Sequence, residues 1–338
     1  MSLNTSHSNE WTIWHERFHR FLLSEREFLP SKTSILISVS GGQDSMAMLG
    51  LILDLKKIYD WKINVWHGDH GWHEKSADYL SDLRDWCIER SISFYSSVTN
   101  KSNIHNEESA REWRYKNLIE TVELINKKNK KKQCKRIVTG HTSSDKAETF
   151  IINLARGTNI AGLGSIKAIR TIKADLKLVR PLISFKRDET SAICKMLNIP
   201  IWPDPTNNDI SLTRNKVRKI ILPSLEELYP GSSLRITSLA QNFGQLDQER
   251  EAITKLAILF LQKEQGLSRN EFIKLPKIAQ ATVLSQWIVT VGGPQLSAGE
   301  LKKATLRLEK GKPPGCQQLK KGWQICWGKD LISIKQKT

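Results

Sequence analysis

Apolar and polar positions follow two rhythms along this chain. Near its start Trp11, Trp14, Phe18, Phe21 and Leu22 recur at helical spacing, which predicts an amphipathic helix packed on a domain. Strand-like runs then alternate with helical ones. Strands are predicted over Ile35–Ser40, Ile63–His67, Ile92–Val98 and Arg136–Thr139. The helices that follow them are predicted from Asp44, over about Glu74–Ile88, over about Glu107–Ile125 and over about Ser144–Leu154. Such alternation predicts an α/β fold: a parallel, Rossmann-like sheet covered by helices on both faces, with ligands at the carboxyl ends of the strands.

Beyond the fourth strand the pattern loosens. A sheet-edge helix is expected over Ser184–Leu197, before the proline-rich loop IPIWPDPTNN. The basic segment LTRNKVRKIILP opens a new helical region, so a domain boundary is expected near Thr213: residues 1–213 as a nucleotide-binding domain, 214–338 as a smaller, mainly helical one. Residues 224–262 predict a long helix or helix pair with Leu225, Leu228, Leu239, Leu246, Ile253 and Leu256 as apolar positions. The stretch from about Gln317 alternates apolar and polar residues and suggests a short β element.

Charge narrows the class of partner. The 338 residues carry 52 basic against 35 acidic side chains, a formal net charge of +17, and such a surplus favours a polyanion such as nucleic acid. The run KKNKKK at Lys127–Lys132 reads as a solvated loop. Five cysteines, odd in number and without a C-x-x-C pair, argue against a disulfide framework or a cysteine-built zinc site. The first residues lack the character of a signal peptide, and no apolar run approaches the roughly 18 residues of a membrane span, so a cytoplasmic protein is expected.

Candidate chemistry gathers at the strand ends. Ser40-Gly-Gly-Gln-Asp-Ser45 follows the first strand and opens a helix, where backbone N–H groups bind phosphate. The lysine of a Walker loop is missing. Ser40, Gly41, Gly42 and Ser45 are placed to wrap a pyrophosphate, and Asp44 makes sense as a magnesium ligand bridging to phosphate oxygens. A plain glycine turn with Asp44 as a helix cap is the ordinary alternative. Arg111 and Arg114 share a helix face and suit phosphates, or else surface ion pairs with Glu107, Glu108 or Glu112. Asp145 and Glu148, three apart at a helix start, suit a metal or an amine, or else simply complement the helix N-terminus.

Ser40–Ser45 resembles the SGGxDS signature of the PP-loop ATP pyrophosphatases, and an ordered set of further stretches resembles their lysidine synthase branch. His67–His73, HGDHGWH, is similar to that branch's H-V-[ND]-H-G-L-R, with Trp72 and His73 departing; its three histidines also raise a weak metal-site reading. Glu107–Tyr115 is similar to E-x-x-A-R-x-x-R-Y. Thr139–Phe150 is similar to TGHHxDDQAET, with Thr142, Ser144 and Lys146 departing. Leu154–Ile166, VRPLISFKRDE and Asp204–Pro223 follow the family in order, so the likeness covers about residues 33–223.

The resemblance implies ATP and Mg2+ as reactants, with Ser40, Gly41, Gly42, Gln43, Asp44, Ser45, His70 and His141 around the nucleotide and Asp44 on the metal. It implies Asp44, Arg111, Asp145 and Glu148 as catalytic residues. Its expected partners are a tRNA(Ile) with a CAU anticodon and free L-lysine, and it leaves a homodimer open. Arg114, Arg214 and Arg218 are expected to meet substrate, and charge alone adds Lys302, Lys303 and Arg307 as a tRNA-docking face. A tRNA thiolase and a non-catalytic RNA-binding protein are the alternatives.

Overall fold

The computed structural model describes residues 11–24, 27–71, 74–99, 107–164, 166–202 and 209–336. Trp72, His73, residues 203–208 of the proline-rich loop and the Glu107 side chain lie outside the described set. Two compact units divide at Gly244/Gln245, within one long helix.

The first unit opens with helix α1 (Ile13–Ser24) and then alternates β1 (Ser34–Ser38), α2 (Gln43–Tyr59), β2 (Lys62–Asp69), α3 (Ser76–Glu89), β3 (Ser93–Val98), α4 (Glu107–Lys128), β4 (Cys134–Thr139) and α5 (Ser143–Arg156). All four expected strand–helix pairs are present. The short helix α6 (Ile160–Leu163) leads to a hairpin, β5 (Ile169–Lys173) and β6 (Leu176–Val179), that periodicity does not predict. Helix α7 (Arg187–Met196) follows. The strands join in the order β3-β2-β1-β4-β6-β5. All neighbours run parallel except the β5–β6 pair.

Two cores flank this sheet because side chains alternate along each strand. Ile35 and Ile37 face a core built from α1, α2, α3 and α7, with Phe18, Met48, Ile52, Leu83 and Ile193. Leu36 faces the other core, where Trp66, Leu118, Val122 and Ile137 pack under α4. Burial on both faces explains why β1 reads as a continuous apolar run. It also leaves the strand ends and their loops as the place for polar chemistry.

The expected division near Thr213 and the compact units differ. Helix α8 (Thr213–Lys216), the π-helical turn Val217–Ile221 and α9 (Leu222–Leu228) belong to the first unit, where Val217 and Leu222 pack with Ala147 of α5. Helix α10 (Ser232–Leu261) completes the expected helix pair. Its anticipated apolar positions Leu239, Leu246, Ile253 and Leu256 are exposed; Thr237, Ala240, Asp247, Thr254, Ile258 and Leu261 form the buried stripe. The buried face is thus rotated around the helix from the expected one.

The second unit contains a five-stranded antiparallel sheet ordered β7 (Gln262–Lys263), β8 (Gly266–Ser268), β11 (Leu331–Gln336), β10 (Trp323–Trp327) and β9 (Gly315–Gln318). Helices α11 (Arg269–Phe272), α12 (Lys277–Thr290) and α13 (Ala298–Arg307) accompany it. Its core includes Leu267, Phe272, Leu284, Trp287 and Ile325. Cys316 and Cys326 stand opposite each other across β9 and β10 and form a disulfide, which corrects the expectation from cysteine spacing. Register between strands is a tertiary property that cysteine spacing does not encode.

Candidate active site

The site lies at the carboxyl ends of β1 and β4. β1 runs into Val39, whose carbonyl accepts a hydrogen bond from His67 Nδ1 at 2.8 Å. The chain then turns at Gly41, with φ +84°, a conformation that glycine adopts without steric cost. Trp202 closes one side of this turn: its backbone N–H donates to the Gly41 carbonyl at 2.9 Å. Its Cβ lies 3.4 Å from where a Gly41 Cβ would stand. Gly42 caps α2 without a side-chain acceptor, so the first N–H groups of the helix point outward as an anion site. The hydroxyls of Ser40 and Ser45 lie 3.2 Å apart across the loop, and Ser45 Oγ donates to the Gly42 carbonyl at 2.9 Å. This is a phosphate loop shaped by its own serines.

Asp44 does not cap α2. Its carboxylate accepts from Arg187 Nη1 at 2.8 Å and from Thr190 Oγ1 at 2.5 Å, both on α7. Gln43 Nε2 donates to the Arg187 carbonyl at 2.7 Å. Burial raises the Asp44 pKa, against the pull of Arg187 and Thr190. A partly buried carboxylate beside a phosphate loop supplies the hard oxygen that magnesium takes alongside substrate phosphates, so the residues fit that ion.

The loop after β4 approaches α2 closely. A Cβ on Gly140 would stand 2.9 Å from the Asp44 carbonyl and from Ser45 backbone atoms, which leaves room there for glycine alone. Thr142, one of the departing positions, is the N-cap of α5: its N–H and hydroxyl both donate to Asp145 Oδ2, at 2.7 and 3.0 Å. Ser144 Oγ accepts weakly from the Arg187 N–H at 3.4 Å. Lys146 is buried, and that burial lowers its pKa to about 8.

The two acids of α5 and two arginines of the following segment, expected in separate roles, form one ion network. Arg214 Nε and Arg218 Nε contact the two Glu148 oxygens at 2.8 and 2.5 Å, and Arg214 Nη2 contacts Asp145 at 2.8 Å. Glu148 is 0% exposed. Burial pushes the Asp145 pKa up, but Arg214, His141, the Thr142 N–H and Arg218 outweigh it and hold the carboxyl low. His141, hydrogen-bonded to Thr139 Oγ1 at 3.0 Å, has its pKa lowered to about 3 by burial, with Arg180, Arg214 and Arg114 adding to the effect against Asp145. A neutral imidazole therefore faces this cluster at neutral pH.

Other expected residues fall in different company. His70 follows β2 and packs edge-on against Trp113, 4.7 Å between ring centroids. Arg111 lies on α4 with its guanidinium 5.6 Å from the Tyr115 ring centroid, while the Arg114 charge is felt by His141. Lys302, Lys303 and Arg307 are exposed on α13 in the second unit. Arg187 and Thr190, the direct partners of Asp44, are not singled out by sequence reasoning, although Arg187 lies within the stretch that resembles the family. Cys87, Cys134 and Cys194 are buried, which pushes each thiol up to about 12, so none presents a thiolate.

A parallel sheet bearing an SGGxDS loop at a strand end, with an acid beside it, defines a PP-loop nucleotide-binding protein. The PP-loop domain family matches residues 13–225. A U34-tRNA thiolase from Methanococcus maripaludis shares the fold with a TM-score of 0.54 at 20% identity, covering 68% of this chain and 77% of its own. A tRNA(Ile)-lysidine synthase from one strain of Prochlorococcus marinus is 43% identical over 99% of each chain. That of Parasynechococcus marenigrum is 38% identical over 96% of this chain and 95% of its own. The chain belongs to the tRNA(Ile)-lysidine synthase family.

Proposed function

We propose that the protein ligates lysine to carbon 2 of the wobble cytidine in a tRNA(Ile) with a CAU anticodon. The cytidine O2 attacks the α-phosphorus of ATP, and pyrophosphate leaves. The ε-amine of free L-lysine then attacks carbon 2, and the C–O bond breaks to expel AMP. The class is a carbon–nitrogen ligase acting in the cytoplasm; among the described residues no helix is long and apolar enough to cross a membrane. What supports this reading most is the near full-length likeness to lysidine synthases, whose motifs converge here on one end of the sheet.

In this reading Ser40, Gly41, Gly42, Gln43 and Ser45 hold the leaving pyrophosphate through backbone and hydroxyl donors, with His70 and His141 bordering the nucleotide. Mg2+, held by Asp44, would neutralise phosphate charge. Arg111 and Arg114 meet charge developing at phosphorus. Asp145 and Glu148 act through Arg214 and Arg218, fixing two guanidiniums at the substrate side. The exposed Lys302, Lys303 and Arg307 give residues 214–338 a face for tRNA phosphates.

The test is a pyrophosphate-release assay with ATP, lysine and a tRNA transcript. Release should require the CAU transcript, and AMP formation should require lysine. Release indifferent to both, or product formed only with a sulfur donor, would sink the reading. Neutralising Lys302, Lys303 and Arg307 together should flatten the salt dependence of tRNA binding by roughly 0.7–0.9 log units per lost phosphate contact while ATP affinity holds. An identical salt slope in the triple variant would remove this face from the tRNA interface.

A further inference from the structure

The β5–β6 hairpin brings together arginines that the ion network does not use. Arg180, the residue after β6, is 4% exposed. Its Nη1 donates to the Lys167 carbonyl at 2.5 Å, and its Nε, fully buried, has no hydrogen-bond partner. Its side chain faces Tyr115 of α4 and feels the charges of Arg170 and Arg111. Arg170, exposed on β5, holds its guanidinium 5.1 Å from the Tyr115 ring centroid, and Arg111 holds its own at 5.6 Å. Three guanidiniums thus surround one tyrosine.

Among the described residues no carboxylate pairs with any of the three. The contrast within the same unit is sharp: Arg187, Arg214 and Arg218 each contact an aspartate or glutamate. A buried charge lacking a counter-ion is costly, and folded proteins normally pair it. Burial lowers the Arg180 pKa to about 10, so it stays protonated near neutral pH. Tyr115 does not neutralise the group; it offers a polar, partly aromatic floor. The position adds direction, since Arg180 stands at the carboxyl end of β6, next to β4, whose own end carries His141.

We propose that Arg180, Arg170 and Arg111 around Tyr115 form a phosphate-binding cradle, with Arg180 as its buried base and the other two as its exposed arms. Guanidinium forks match phosphate oxygens bidentately. A terminal phosphate spreads its charge over three non-bridging oxygens and a backbone phosphodiester over two, and each such oxygen can accept from more than one guanidinium. The phosphate belongs either to the RNA backbone beside the reacting base or to the nucleotide. The cradle depends on neither lysine transfer nor the identity of the modified base, so its failure and that of the lysidine reading are separable.

The test compares the full-length protein with Arg170→Ala and Arg180→Lys. Affinities are measured for a non-hydrolysable ATP analogue, for a tRNA transcript across a salt series, and for free lysine. If the phosphate is that of RNA, Arg170→Ala should make the salt slope shallower by about 0.7–0.9 log units and leave the analogue unaffected. If it is that of the nucleotide, analogue affinity should fall roughly tenfold with the RNA slope unchanged. Either result supports the cradle and names its source. Unchanged binding of both, or a loss confined to free lysine, would overturn it. Should Arg180→Lys fail to fold, Arg170→Ala, on the exposed strand, decides alone.

Discussion

Replacing Asp44 by alanine is expected to lower pyrophosphate release by at least about 100-fold, the scale set by loss of a preorganised electrostatic contact in a transition state. The residue lies inside the phosphate loop, at the first turn of α2, and the loop's remaining groups are backbone amides, hydroxyls and the Gln43 amide. With the carboxylate gone, no other acid of the loop can hold a cation against the departing pyrophosphate. The fold should survive: Asp44 is partly exposed, and its partners Arg187 and Thr190 keep access to solvent and to the Arg187 carbonyl, respectively. Asp44→Asn sharpens the test, because an amide still accepts from Thr190 but carries no charge. Both variants should bind tRNA normally and release little pyrophosphate. If Asp44→Asn releases pyrophosphate at nearly the native rate, Asp44 serves to anchor α7 rather than to manage phosphate charge.

How far such a site can be read from sequence is shown by Asp44 itself. Its presence in a strand–loop–helix setting is legible, because a buried apolar run, two glycines and an uninterrupted helical stretch are local signals. Its partner is not: Arg187 lies 143 positions away, and only the packing of α7 against α2 brings it to the carboxylate. The same holds for the α5 acids. Sequence spacing places Asp145 and Glu148 on one helix face, and it places Arg214 and Arg218 one turn apart, but nothing local says that the two pairs bind each other. The β5–β6 hairpin escapes because its strands are short and the exposed one, IRTIK, carries little apolar periodicity. On α10 the leucines that define the expected core face are exposed, while Ala240, Asp247 and Thr254 turn inward. Small and hydrogen-bonded residues allow close packing that apolar periodicity does not register. Thr142 gives the opposite lesson: a departure from the family pattern turns out to be a sound helix cap, a role that depends on its oxygen and on Asp145 three residues later.

Glu148→Ala is expected to destabilise the first unit by about 3–5 kcal/mol, the usual cost of removing one partner from a buried ion network. Glu148 is the most enclosed acid of the network, with side-chain exposure of 1%, and it receives contacts from both guanidiniums. Its loss leaves Arg214 and Arg218 facing each other with Asp145 alone between them, at 2.8 and 3.6 Å. The segment carrying these arginines is short and irregular, a four-residue helix running into a π-helical turn, and besides the ion network it is held to α5 by the packing of Val217 and Leu222 with Ala147, Ile151 and Ile152. For a unit of this size the stability loss corresponds to a fall in Tm of roughly 10 °C. Glu148→Gln retains acceptor oxygen but not charge and should fall between the native protein and alanine. Calorimetry on the three proteins, alongside pyrophosphate release measured well below each Tm, separates two roles. Parallel losses of stability and rate place Glu148 as the residue that positions Arg214 and Arg218. A rate reduced at least about 100-fold with Tm unchanged would instead put its carboxylate on the reacting groups.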